Sequence, residues 1–95
     1  MQTIYTNHPY ILFYINREGK YEMTSFSSTA EIPKHFLKET SYIYSKQGRG
    51  SIYTEPYWFN YKPYSPDQYN SRFIFTDIEN VPSEVLALRL LIEDK

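Results

Sequence analysis

The chain predicts an α+β fold: a mostly antiparallel sheet of about five strands, with a short helix after the first hairpin and a C-terminal helix packed on one face. Three observations predict it. Apolar and aromatic runs of strand length recur between residues 10 and 76. Two breaks between those runs are short, polar and contain glycine, which is what hairpins require. Beyond residue 80 the period changes, and Val81, Val85, Leu88 and Ile92 recur at helical spacing.

Taken in order, residues 10–15 and 20–26 read as two strands joined by Asn16-Arg17-Glu18-Gly19, a polar turn whose glycine can adopt a positive φ. Ser27, Ser28 and Thr29 interrupt the strand pattern and offer a helix N-cap. Pro33 suits the first turn of a short helix ending near Glu39, with Ile32, Phe36 and Leu37 directed at the core. Residues 41–46 and 51–59 form a second hairpin around Gln47-Gly48-Arg49-Gly50. Pro56 lacks a ladder donor, so the later strand must bend there, end there or lie at an edge. Asn60 to Ser71 contains Pro63, Pro66, Tyr61, Tyr64 and Tyr69 and reads as a long loop, a length usually associated with function. Arg72 to Thr76 is the fifth strand. Asn80 to Lys95 is the main helix, capped by Asn80, with Pro82 in its first turn, Glu84 as an acidic start, and Leu86 and Leu90 widening the apolar stripe.

At 95 residues this is a single domain covering 1–95, with no room for a second core. A hydrophobic content of 41% with 19% aromatics places it among globular rather than disordered chains. Ten basic residues against eleven acidic ones weigh against phosphate-driven duplex binding, which draws on basic excess. The chain has no cysteine, which excludes disulfides and thiolate zinc sites. Met1 to His8 lacks a charged leader and an apolar core, and no apolar run approaches membrane-spanning length. The expected location is therefore the cytoplasm.

Catalytic patterns are missing in a way chemistry makes explicit. Three glycines cannot supply a phosphate-cradling or dinucleotide loop. Ser27-Ser28-Thr29 has no glycine elbow to expose a nucleophile. His8 and His35 have no ligand spacing around them. Asp67, Asp77, Glu79 and Glu84 include acids near a helix start, where the helix dipole explains them without magnesium. The expectation is a protein without cofactor, metal or catalytic residue.

Tyrosine is the distinctive residue, with eleven in the chain. Tyr10 and Tyr14, Tyr42 and Tyr44, and Tyr53 and Tyr57 stand two or four apart in predicted strands, so each pair shares a side of its strand. The expectation is one tyrosine-bearing sheet face, with Ile11, Phe13, Ile15, Ile43 and Ile52 lining the other. Tyrosine packs well on half-buried pleated surfaces without any ligand, but it is also enriched at protein interfaces. The leading functional expectation is thus a non-enzymatic interaction protein, homodimeric or bound to a protein partner, acting through the tyrosine face or the 60–71 loop. The alternative is single-stranded nucleic acid, with bases stacked on those tyrosines and phosphates met by Lys46 and Arg49 at the hairpin tip. The tyrosine- and isoleucine-rich, cysteine-poor character resembles small uncharacterised proteins of viruses that infect hyperthermophilic archaea. That likeness lies in overall composition; it implies a viral protein in a host cytoplasm and transfers no active site.

Overall fold

Five strands form one antiparallel sheet in the spatial order β2-β1-β3-β4-β5. They are β1 (Tyr10–Ile15), β2 (Tyr21–Phe26), β3 (Tyr42–Ser45), β4 (Tyr57–Pro63) and β5 (Ser71–Thr76), followed by a helix α1 (Ser83–Arg89). The computed structural model describes residues 7–37, 40–46, 56–63 and 71–92. The α+β class and the antiparallel five-stranded sheet expected from the sequence are what the chain forms.

The first hairpin is closed by its own asparagine. Asn16 Oδ1 accepts hydrogen bonds from the backbone N–H groups of Glu18 and Lys20 at 2.9 and 3.0 Å. The Asn16 N–H in turn donates to the Lys20 carbonyl at 2.8 Å. The reversal is completed by Gly19 at a φ of 79°, a left-handed conformation that side chains with a Cβ disfavour. From this hairpin the chain returns to place β3 along the free side of β1, so β1 has neighbours on both edges. Both faces of β1 are also covered, and Ile11, Leu12 and Phe13 are all 0% exposed. A strand buried on both sides has no polar face to alternate with, which is why it reads as a continuous apolar run.

The core is consequently two layers of side chains, one on each face of the sheet. On the first face, Ile11, Phe13 and Trp58 pack with Val81 and Val85 from the C-terminal segment. On the second face, Leu12 and Ile43 pack with Ile32, which the segment between β2 and β3 lays across the sheet.

Both helical segments depart from the sequence expectation, and proline explains where each one begins; residues 38–39 and 93–95, where the two expected helices end, lie outside the described residues. A residue preceding proline is pushed away from helical backbone angles. Ile32 accordingly has φ −73° and ψ 120°, and Pro33 itself has ψ 138°. In place of one short helix there are two single 3₁₀ turns, Thr29–Glu31 and Lys34–Phe36. Ile32, Phe36 and Leu37 still reach the core cluster. Likewise Val81, which precedes Pro82, is extended at φ −90° and ψ 127°. Asn80 therefore ends a 3₁₀ turn over Ile78–Asn80 instead of capping the helix. The helix starts at Ser83, with the Pro82 carbonyl accepting from the N–H groups of Val85 and Leu86 at 3.0 and 3.1 Å. After Arg89 the chain tightens: the N–H groups of Leu90, Leu91 and Ile92 donate to carbonyls three residues back. Leu90 is 75% exposed and does not extend the apolar stripe, whereas Leu86, Leu88 and Ile92 pack against the core.

Strand β4 begins at Tyr57, immediately after Pro56, and runs to Pro63. It thus continues through residues 60–63, which the sequence assigns to a loop. The remainder of that loop, residues 64–70, and the expected second hairpin turn with residues 51–55 lie outside the described residues.

Candidate functional site

Strand register decides where the tyrosines go, because residues directly opposite across an antiparallel ladder point to the same face. Ile11 faces Tyr44 and Phe13 faces Tyr42, while Leu12 faces Ile43. Tyr42 and Tyr44 therefore share the first face with Ile11 and Phe13, and Tyr10 and Tyr14 share the second face with Leu12 and Ile43. The single tyrosine face expected from the sequence is divided between the two sides of the sheet. Within one strand the alternation is as expected; the offset between strands is not encoded in it.

Each described tyrosine of the predicted site has a local partner. Tyr14 donates to Glu22 Oε2 at 3.1 Å, Asn16 Nδ2 donates to Glu22 Oε1 at 2.8 Å, and the Tyr14 ring lies 4.6 Å from that of Phe36. Tyr10 packs against the Leu12–Ile32–Ile43 cluster. On the helix face, Tyr42 lies 6.4 Å from Tyr21 and Tyr44 lies 4.9 Å from Trp58. Tyr57 stands on the second face, since its neighbour Trp58 pairs with Tyr44. Lys46 is half-buried, and its backbone N–H donates to the Pro9 carbonyl at 2.8 Å. Tyr53 and Arg49 lie outside the described residues.

What the register does bring together is a row of five rings on the β4–β5 half of the second face. Phe59 pairs with Phe75 and Tyr61 with Phe73 across the ladder. Tyr57 and Phe75 are stacked at 4.9 Å with an interplanar angle of 13°. Phe59 meets Tyr57 edge-on at 4.9 Å and Phe75 at 5.8 Å, and Tyr61 meets Phe73 edge-on at 6.2 Å. Phe59 and Phe73 pack against the Leu12–Ile32–Ile43 cluster on this face. Tyr57, Tyr61 and Phe75 stand beyond that cluster, and Phe75 is 43% exposed. Three of these rings, Phe59, Phe73 and Phe75, are absent from the sequence-derived site, and Tyr61 enters it only as part of the 60–71 loop. The signal was available as period-two alternation in 57–61 and in 73–75, but assigning residues 60–71 to a loop broke it.

Electrostatics around the sheet are mild. Burial, reinforced by Tyr42 and Glu84, raises the Tyr21 hydroxyl above its ordinary range. The Ser27 hydroxyl donates to Glu31 Oε1, and that hydrogen bond is the main cause lowering the Glu31 carboxyl below its ordinary range. His8 Nδ1 lies 3.0 Å from Ser25 Oγ, and the His35 ring rests 4.4 Å from Phe36. Among the described residues, no three His, Asp or Glu side chains gather as metal ligands, and no helix is long and apolar enough to cross a membrane. Comparison of the chain with protein-family models, with curated proteins and with solved structures finds no match.

Proposed function

We propose that this chain is a non-enzymatic interaction protein that self-associates as a homodimer through the β4–β5 aromatic row. The observation that carries the reading is the cluster of five rings on one half of one sheet face, with none of them buried. Each aromatic side chain carries roughly 150–250 Å² of surface, and rings in mutual contact form one continuous patch instead of scattered apolar atoms. Such patches mark interaction sites more often than ordinary surface does. Two such rows meeting about a twofold axis would bury the same rings from both copies, the self-complementary arrangement of a symmetric dimer.

Sedimentation over a wide concentration range tests this. A monomer–dimer equilibrium is expected, displaced toward monomer by the double substitution Tyr61→Ser with Phe75→Ser. A strict monomer at high micromolar concentration removes the homodimer and leaves the row to a different protein. Binding of single-stranded oligonucleotides that is lost in Tyr61→Ser alone and weakens steeply with salt would replace the reading with base stacking along the row.

A further inference from the structure

Where β4 begins and β5 ends, the molecule carries an open groove of about 520 Å³, within the range typical of small-molecule sites. Tyr44, Trp58 and Arg89 line it from the helix side, Tyr57 and Phe75 from the aromatic row, and Asp77 stands just past the end of β5. Arg89 is the last residue of α1, and its guanidinium carbon lies 5.1 Å from the centroid of the Tyr44 ring. A guanidinium held over a ring keeps its N–H donors around its edge, free to grip an anion in two-pronged fashion. Among the described residues, no hydrogen bond or ion pair takes up those donors.

The lining therefore offers a stacked aromatic pair, one pre-oriented cation and one carboxylate. Aromatic side chains accept the π-face of a planar ring. Arg89 calls for an anionic group, and Asp77 repels a second anion while accepting from a hydrogen-bond donor. A ligand with a planar ring, negative charge at one end and donors elsewhere has the polarity of a nucleotide. We propose that this groove binds a nucleotide unit, with the base against Tyr57 and Phe75, the phosphate on Arg89, and a sugar hydroxyl or exocyclic amine donating to Asp77. The inference goes beyond self-association and competes with it for Tyr57 and Phe75, so saturating nucleotide is expected to shift the dimer toward monomer.

Trp58 is the single tryptophan of the chain and lines the groove, so its emission reports occupancy directly. Titration with adenosine 5′-monophosphate, adenosine and inorganic phosphate is expected to give a saturable change with the nucleotide. Adenosine and phosphate should each bind at least about tenfold more weakly, since each supplies one end of the ligand. Arg89→Gln should bring the nucleotide down to the affinity of adenosine, and Arg89→Lys, which keeps charge but loses the fork, should fall between. An unchanged denaturant midpoint in the unliganded variants shows that the fold persists. If a short oligoadenylate displaces the mononucleotide, the bound unit belongs to a strand; if it does not, the ligand is the free nucleotide. Absence of a saturable response at millimolar nucleotide overturns the proposal. So does an Arg89→Gln variant that still prefers nucleotide over adenosine. Arg89→Gln leaves the aromatic row intact, so loss of nucleotide binding and loss of self-association are separately observable.

Discussion

Tyr57 and Phe75 lie on adjacent strands with their rings nearly parallel, 4.9 Å apart at an interplanar angle of 13°. Phe75 pairs directly with Phe59, so Tyr57 reaches it diagonally across the ladder, a distance that only large side chains bridge. Stacked pairs contribute about 0.5–1.5 kcal/mol beyond their area burial. A double-mutant cycle on folding stability with Tyr57→Ala and Phe75→Ala should return a coupling energy in that range. Additivity within experimental error would mean the two rings do not interact in solution.

The positions of the strands were largely legible in the sequence, and their relative registers were not. Residues 10–15 form β1 as read, because a run of apolar residues between turns has few other solutions. The faces that Tyr42 and Tyr44 occupy depend on pairing Ile11 with Tyr44, and a one-residue slip would have reversed them. The same limit hid the candidate site. The row joins residues 57–61 to residues 73–75, and neither segment alone distinguishes an exposed row from a core strand. The helix errors were of another kind. Pro33 and Pro82 were read for their own fit to a first turn, whereas their effect on Ile32 and Val81 set the helix limits.

The helix phase can be checked with two truncations. Val85 is 0% exposed and Leu90 is 75% exposed. Val85→Ala should destabilise by about 1–3 kcal/mol, from lost burial and the cavity left behind. Leu90→Ala should stay within about 0.5 kcal/mol, as exposed substitutions do. Denaturant midpoints measure both, and equal losses at the two positions would refute the observed rotation of α1.

Gly19 holds a φ of 79°, and a Cβ built there meets nothing within 4 Å. The cost of Gly19→Ala is therefore conformational rather than steric crowding by neighbours. A left-handed residue with a Cβ costs roughly 1–2 kcal/mol, so Gly19→Ala should lose about that much stability. Gly19→Asn should lose less, since asparagine tolerates this region. Chemical denaturation of the two variants compares them, and an alanine variant as stable as the parent would mean that the turn rearranges.

Asn60 pairs with Tyr42 on the helix face, and its Oδ1 is buried with no hydrogen-bond partner. A buried acceptor left unpaired costs about 1–3 kcal/mol. Replacing it with a β-branched apolar residue removes that penalty and suits a strand. Asn60→Val should raise stability by about 1 kcal/mol in thermal or denaturant unfolding. A destabilised variant would show that the amide has a donor in solution.

The Tyr21 hydroxyl is expected to weaken the fold at alkaline pH. Burial, then the neighbouring Tyr42 and Glu84, raise its pKa above the ordinary value, so the native state favours the neutral phenol. The unfolded chain releases that proton near pH 10, before the folded protein does. Below about pH 10 both states hold the proton, and the native preference for the neutral form is fully expressed. Above it the unfolded state ionises first, and stability falls as pH rises toward the folded pKa. Tyr21→Phe removes this ionisation while retaining the ring. Its stability should therefore decline less than that of the parent between neutral pH and the region above pH 10. Absorbance titration of tyrosinate should also lack one late-ionising group in the folded variant. An equally steep alkaline decline in both proteins would assign it to other tyrosines.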